Sequence, residues 1–269
     1  MGLSITGENN RLIIVENGKE RELTEEIPGL DIVVNGNDNL VRIGFPQDFQ
    51  NSRLEMFGNG NCFEKQRSGA KTGGVFFHLN HGSRIIIGRN CLFNGNISIL
   101  AKEKKGVSVI LGDNVIMGTG CIIRTGDGHT IVDKGSRDPL NEPQDVVIDR
   151  HVWIGARCML LKGTKIRADS VVGAMSLVNR KFEEKNLLIA GVPARVIREG
   201  IDWDICDYIS YTKLTKRRVL NGKRCFHQFS KSENKKIKPF FHTVEDKIQK
   251  KSPKILTNYG ERRIRLFCS

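Results

Sequence analysis

The feature that most constrains the fold of this chain is a period of six residues that persists through its middle. An α-helix repeats every 3.6 residues and a β-strand every two, so neither element produces a sustained period of six. One series of steps is large and apolar apart from a single lysine: Ile87, Phe93, Ile99, Lys105, Leu111, Met117 and Ile123. A second series is aliphatic at every step: Ile148, Ile154, Leu160, Ile166, Val172 and Val178.

Smaller side chains recur four positions after these large residues. They are Cys91, Ile97, Val115, Cys121, Val152, Cys158, Thr164, Ser170 and Ser176. Glycine often follows the large residue directly, as at Gly112 and Gly155, and glycine permits the backbone angles of a tight corner. A triangular coil of about 18 residues, stacked on parallel copies of itself, explains both patterns. We therefore predict an all-β protein built as a parallel β-helix, with the cysteines of this series as small core residues.

The period and the charge divide the chain into three parts. Residues 85–200 carry the six-residue repeat, and residues 1–84 are less regular, with short apolar runs between Asn/Gly turns. We predict that residues 1–84 form irregular N-terminal coils of the same β-helix. Residues 201–269 contain 17 of the 43 Lys and Arg residues but only 7 of the 30 Asp and Glu residues. This last part is predicted to be a basic, partly helical C-terminal extension.

The repeat breaks between its two series, where Ile123 and Ile148 are 25 positions apart instead of 24. The intervening segment 127–147 is polar and contains two prolines, so we expect a loop that leaves the coil. His129 occupies the next step of the first series, at the start of this loop. Histidine suits proton transfer near neutral pH, and Asp127 or a backbone carbonyl could orient it. From the residues alone, His129 could equally be a histidine on a surface loop that has no role in catalysis.

Four motifs in a fixed order carry a resemblance to a known family. They are Gly112-Asp113-Asn114-Val115, Asp127-Gly128-His129, Val152-Trp153-Ile154-Gly155 and Ala190-Gly191-Val192-Pro193-Ala194-Arg195. Together they resemble the hexapeptide-repeat sugar O-acetyltransferases, which include galactoside, maltose and capsular-polysaccharide O-acetyltransferases. The resemblance covers residues 85–200 and implies a left-handed parallel β-helix. It also implies acetyl-CoA as co-substrate and a homotrimer with active sites between subunits.

The resemblance assigns roles position by position. His129 falls on the catalytic histidine and Trp153 on a tryptophan that lines the same site. Positions implied to meet the cofactor are Ala156 and Ala174 along the pantetheine arm, Asn179 and Arg180 near the cofactor, and Arg195 and Arg198 at the CoA phosphates. The family has a Thr-Lys pair where this chain has Asn179 and Arg180, so those two roles stay open. Asn94 lies near an acceptor-binding asparagine of the family.

We therefore predict an acetyl-CoA-dependent O-acetyltransferase with His129 as general base. The acceptor would be a sugar hydroxyl, in a bacterial surface polysaccharide such as a capsule or O-antigen. Two alternatives stay open: an antibiotic acetyltransferase on the same scaffold, and a non-catalytic β-helix assembly subunit. A carbonic anhydrase of the same fold is not favoured, because His78, His81, His129 and His151 lack the zinc-binding spacing of that family. No metal is expected.

The cysteines and the charge of the chain limit where the protein can be located and which partners it can bind. The seven cysteines form no C-x-x-C pair, and no apolar run approaches the roughly 20 residues of a membrane span. We therefore expect a cytoplasmic protein, with peripheral contact at the inner membrane face left open. The basic extension either binds an anionic partner, such as an acidic polysaccharide or an anionic membrane surface, or packs against the β-helix. Without a recognised nucleic-acid module, no nucleic-acid partner is expected.

Overall fold

A computed structural model of the protein describes residues 2–212. These residues form three β-sheets whose strands are contributed in turn by successive coils of the chain. The first sheet contains β1 Leu3–Thr6, β4 Leu30–Asn35, β7 Ser52–Phe57, β10 Val75–Asn80, β13 Ile97–Ala101, β16 Ile122–Arg124, β19 Met159–Leu160 and β22 Leu177–Val178. The second contains β2 Arg11–Glu16, β3 Lys19–Glu22, β5 Leu40–Gly44, β8 Cys62–Lys65, β11 Arg84–Ile87, β14 Ser108–Leu111, β17 Val146–Ile148, β20 Lys165–Ile166 and β23 Lys181–Phe182. The third contains β6 Asp48–Gln50, β9 Lys71–Gly73, β12 Leu92–Phe93, β15 Ile116–Met117, β18 Trp153–Ile154, β21 Val171–Val172, β24 Leu188–Gly191 and β25 Ala194–Arg198.

Within each sheet, every strand pairs in parallel with the strands of the neighbouring coils, apart from the two sheet ends. At those ends β3 runs antiparallel to β2, and β25 runs antiparallel to β24. A parallel ladder between successive turns of one chain requires the chain to wind as a coil, because each return to the same sheet needs a crossover. The prediction of a parallel β-helix is confirmed.

The core of the coil consists of the residues that the six-residue period selects. All six members of the second series are 0% exposed, and the apolar members of the first series are at most 1% exposed. Lys105, the exception in that series, is exposed in a turn. Cys91, Cys121 and Cys158 are buried free thiols, as predicted for small inward residues. The period therefore reports directly which side chains point inward.

The N-terminal coils are longer than the predicted length of about 18 residues. Register pairs Leu30 with Ser52 and Val75 with Ile97, a step of 22, whereas Met159 pairs with Leu177, a step of 18. The N-terminal strands have up to six residues and alternate between buried and half-buried positions. A two-residue alternation within each strand hides the period of six, which explains why this region looks irregular in the sequence.

A ladder of buried polar side chains stabilises the corner between the first and second sheets in these coils. Asn39 donates its backbone and amide N–H groups to Oδ1 of Asn10 at 3.1 and 3.0 Å. Asn61 makes the same pair of bonds to Oδ1 of Asn39, both at 2.9 Å, and the N–H of Ser83 continues the ladder to Asn61. Buried amides need such partners, because an unsatisfied buried polar group costs about 1–3 kcal/mol. The Asn-rich turns are therefore structural.

The chain leaves the β-helix after β25. Residues 208–212 form a short helical turn, and no helix in the described part of the chain is long and apolar enough to cross a membrane. Most of the predicted basic extension, residues 213–269, lies outside the described residues.

Candidate active site

His129 lies at the base of a loop that stands away from the corner between the first and second sheets. The loop spans residues 125–145, between β16 and β17, close to the predicted 127–147. An antiparallel bridge joins Val132 to Pro139, and Leu140 donates its N–H to the carbonyl of Ile131 at 2.8 Å. The side chain of His129 is exposed. A proton-transfer group at this place is open to a substrate from outside the coil.

The base of the loop is fixed by Asp127, Asn141 and Lys162. The Asn141 amide donates to Oδ2 of Asp127 at 2.9 Å and to the carbonyl of His129 at 2.8 Å. Lys162, from the next coil, donates to Asp127 and also to the carbonyl of Asn141. The hydrogen bond from Lys162, followed by that from Asn141, holds the pKa of the Asp127 carboxyl below its ordinary value. This carboxylate therefore braces the loop, and no hydrogen bond among residues 2–212 joins it to the ring of His129.

A second carboxylate holds the same segment from the preceding coil. Oε2 of Glu103 accepts the N–H of Gly128, next to His129, at 2.9 Å. The backbone of Glu103 has φ 79°, a left-handed conformation, and its N–H donates to Oδ1 of Asn80 at 3.1 Å. Arg124 lies 3.8 Å from the other oxygen of this carboxylate. Nothing in the sequence around Glu103 indicates this contact, because the two segments are 25 residues apart in the chain.

Trp153 occupies a different part of the triangular coil. It lies on the outer face of the third sheet in β18, with 44% of its surface exposed. Ala156 and Ala174 follow at the corner between the third and first sheets, where both are exposed on consecutive coils. A Cβ on Gly155 would lie 2.5 Å from the backbone nitrogen of Ala174, so glycine is needed for these coils to stack closely. The two exposed alanines therefore lie one above the other as a small ledge at this corner.

The remaining predicted residues divide between two corners. Arg195 and Arg198 are exposed on β25, at the edge of the third sheet, on the same side as Trp153. Asn179 and Arg180 are exposed at the corner between the first and second sheets, below the His129 loop. One chain therefore does not bring His129 together with Trp153 and the alanine ledge.

Asn94 lies at the corner between the third and first sheets, in earlier coils than Ala156. It borders an open polar groove of about 330 Å³ lined by Gln50, Asn51, Lys71, Gly73, Gly74, Asn94, Gly95 and Asn96. The groove contains amides, exposed backbone and one cation. Such a surface can hydrogen-bond to a polyhydroxylated ligand.

No family model matches the sequence. The chain is 31% identical over 172 residues to the polysialic acid O-acetyltransferase of Neisseria meningitidis, and the match covers 64% of this chain and 78% of that protein. The chain belongs to the hexapeptide-repeat O-acetyltransferases. It is also 33% identical over 127 residues to the galactoside O-acetyltransferase of Escherichia coli, which covers 47% of this chain.

The fold of the hexapeptide-repeat O-acetyltransferases agrees with that of the chain. The structure is similar to the polysialic-acid-specific acetyltransferase NeuO, with a TM-score of 0.67 and 22% identity over 82% of this chain and 98% of that one. The polysialic acid O-acetyltransferase OatWY aligns with a TM-score of 0.56 and 23% identity over 81% and 99% of the two chains. The predicted left-handed parallel β-helix is confirmed.

Some relatives extend beyond the matched region. The chain spans 60% of the length of the E. coli galactoside enzyme and 38% of the length of the E. coli polysialic acid O-acetyltransferase. Within residues 2–212, no group of three or more His, Cys, Asp or Glu side chains is placed to hold a metal ion.

Proposed function

We propose that this protein transfers an acetyl group from acetyl-CoA to a sugar hydroxyl, with His129 as the general base. The observation that carries the proposal is the setting of His129 in a member of this family. Its side chain is exposed, while Asn141 binds its carbonyl and Glu103 binds the N–H of the preceding residue. A fixed backbone with an accessible ring is what proton transfer to a bound substrate requires.

The reaction would be a direct transfer between two bound substrates. His129 accepts the proton of the acceptor hydroxyl as its oxygen attacks the thioester carbonyl. A backbone N–H would stabilise the oxyanion while the indole N–H of Trp153 would hold the acceptor, and collapse of the tetrahedral intermediate breaks the C–S bond. His129 then returns the proton to the departing thiolate. General acid–base help is worth about 10²–10⁴-fold, and an oxyanion donor about 10²–10³-fold.

We propose a homotrimer with active sites between subunits. His129 stands at one corner of the coil, and Trp153 with the ledge of Ala156 and Ala174 lies elsewhere, so a second copy would complete the site. Large apolar side chains are exposed on the ledge side, notably Met175 at 66% and Val192 at 71%. Exposed apolar side chains in such a cluster favour a protein interface. Arg195 and Arg198 would then meet the phosphates of CoA.

We propose that the acceptor is an anionic surface polysaccharide. The Neisseria and E. coli relatives are named polysialic acid O-acetyltransferases. The polar groove at Asn94 supports this class, since Lys71 is a cation among amides there.

An acceptor screen tests the proposal. The full chain is incubated with isotopically labelled acetyl-CoA and, in separate reactions, oligosialic acid, a neutral galactoside or chloramphenicol, and products are read by mass spectrometry. We expect the label as an ester on oligosialic acid. Transfer to chloramphenicol alone would favour an antibiotic acetyltransferase. No transfer, together with no heat of acetyl-CoA binding in calorimetry, would favour an assembly subunit and overturn the proposal.

A further inference from the structure

The segment after β25 turns back along the outside of the β-helix. Ile201 donates its N–H to the carbonyl of Asn186 at 3.0 Å, and the Asn186 amide donates to the carbonyl of Ile201 at 3.0 Å. Asn186 lies at the corner between the second and third sheets, where Asp169 and His151 occupy the equivalent turns of the two preceding coils. The chain therefore runs from Asn186 towards earlier coils along this corner.

This return brings Trp203 onto the corner beside Trp153. The indole N–H of Trp203 donates to the carbonyl of His151 at 3.0 Å. Its ring stacks on the imidazole of His151, with centroids 4.2 Å apart and 13° between the planes. Asp169 holds that imidazole in place through a 3.0 Å contact between Oδ1 and Nδ1. One edge and one face of Trp203 are therefore fixed.

The fixed indole of Trp203 is also in contact with Trp153. The two ring centroids are 6.1 Å apart, with 47° between the planes, an arrangement that is favourable for aromatic pairs. Trp153 is 44% exposed, and β18, which contains it, has only two residues. An exposed side chain samples several rotamers unless a neighbour restricts it. Trp203 is such a neighbour, and its own ring is held by two contacts with His151.

We propose that Trp203 is a positioning residue that orients the indole of Trp153 for the acceptor. The inference rests on the proposed function, in which Trp153 lines the active site. It extends that site to the segment that follows the β-helix. Without Trp203, Trp153 would populate rotamers that do not face the acceptor. The expected result is a higher KM for the acceptor, with the KM for acetyl-CoA unchanged.

The test uses the fact that the chain contains only two tryptophans. The full chain is labelled with 5-fluorotryptophan, so that ¹⁹F NMR shows one resonance for each ring. Trp203→Ala should shift the Trp153 resonance and raise the acceptor KM at least about fivefold. Trp203→Phe keeps an aromatic ring but lacks the N–H donor, so its acceptor KM should lie between those of the wild-type protein and Trp203→Ala. Tyr208→Ala is the matched control, because it removes an aromatic side chain of the same segment that is 83% exposed.

The outcomes separate this inference from the proposed function. An unchanged Trp153 resonance in folded Trp203→Ala would overturn the inference. A shifted resonance with an unchanged acceptor KM would overturn it as well, because the pairing would then be structural only. Equal effects from Tyr208→Ala would mean that the segment acts non-specifically, against the proposal. An absence of turnover in the wild-type protein with every acceptor would instead refute the proposed function.

Discussion

Replacing the buried lysine Lys65 by methionine should change the pH dependence of folding in a direction that the structure specifies. Lys65 is 1% exposed inside the coil, where its Nζ donates to Oε1 of Gln47 at 2.7 Å and lies 5.6 Å from the ring centroid of Phe49. Burial lowers the pKa of Lys65 from 10.5 to about 8, and the interaction with Cys91 opposes this only in part. The interior therefore disfavours the charged form.

The size of the effect follows from this pKa difference. At about 1.4 kcal/mol for each tenfold change in proton affinity, the charge on Lys65 destabilises the fold by about 3 kcal/mol at neutral pH. Because the pKa of Lys65 is lower in the folded protein than in the unfolded chain, this lysine destabilises the fold least above pH 10.5, where it is neutral in both states. Folding stability is lost as the pH falls from 10.5 towards about 8. Between pH 6.5 and 9.5 the wild-type protein should therefore gain about 2 kcal/mol relative to Lys65→Met.

Urea unfolding followed by circular dichroism measures this difference at several pH values. Lys65→Met also removes the hydrogen bond that Lys65 donates to Gln47, and this loss lowers the free energy of unfolding by the same amount at every pH. Only the change of the wild-type-minus-variant difference with pH therefore reports the buried charge. Lys105→Met, at an exposed turn, is the matched control and should give a difference that does not vary with pH. A flat difference for Lys65→Met across this range would refute the reasoning.

Three further substitutions test the scaffold and the base of the loop. Gly155→Ala places a Cβ 2.5 Å from the backbone of the next coil and should cost about 1–3 kcal/mol in urea unfolding, whereas Gly69→Ala, with no atom within 4 Å, should be neutral. Glu103→Ala should lower kcat about tenfold with little change in the thermal midpoint, and Glu103→Gln should recover most of the activity because it keeps an acceptor. Asp127→Asn should cost under about 1 kcal/mol at pH 7, since its pair with Lys162 is partly exposed. Because the pKa of Asp127 is lowered, this difference should vanish as the pH falls below about 4, which acid titration of stability measures.

The fold was predictable where inward side chains obey one rule. Each flat side of the short coils presents one large residue to the core, so Ile148 and the residues that follow it in steps of six mark the interior without reference to the structure. Lys65 breaks this rule. It lies in register with Ile87, an inward position, and its amide partner Gln47 comes from the preceding coil. Nothing in the sequence near Lys65 indicates that Gln47 supplies a hydrogen-bond acceptor for its buried ammonium group.

The candidate site was predictable only in part, for a similar reason. His129 could be located because the repeat ends there and a family motif surrounds it. The groups that hold it could not, because Glu103, Asn141 and Lys162 come from three segments that only the stacked coils bring together. Trp203 belongs to a segment that composition assigned to the basic extension, and no periodic signal places it against the β-helix.

The central claim is that His129 acts as the base in acetyl transfer, and one comparison of variants tests it most directly. His129→Asn and His81→Asn each remove one exposed histidine, and asparagine tolerates the left-handed backbone of His81, φ 56°. With labelled acetyl-CoA and the acceptor identified in the screen, we expect His129→Asn to lower kcat by about 10²–10⁴-fold with an unchanged thermal midpoint. His81→Asn should keep wild-type turnover. Turnover by His129→Asn within a few-fold of the wild-type rate would contradict the account.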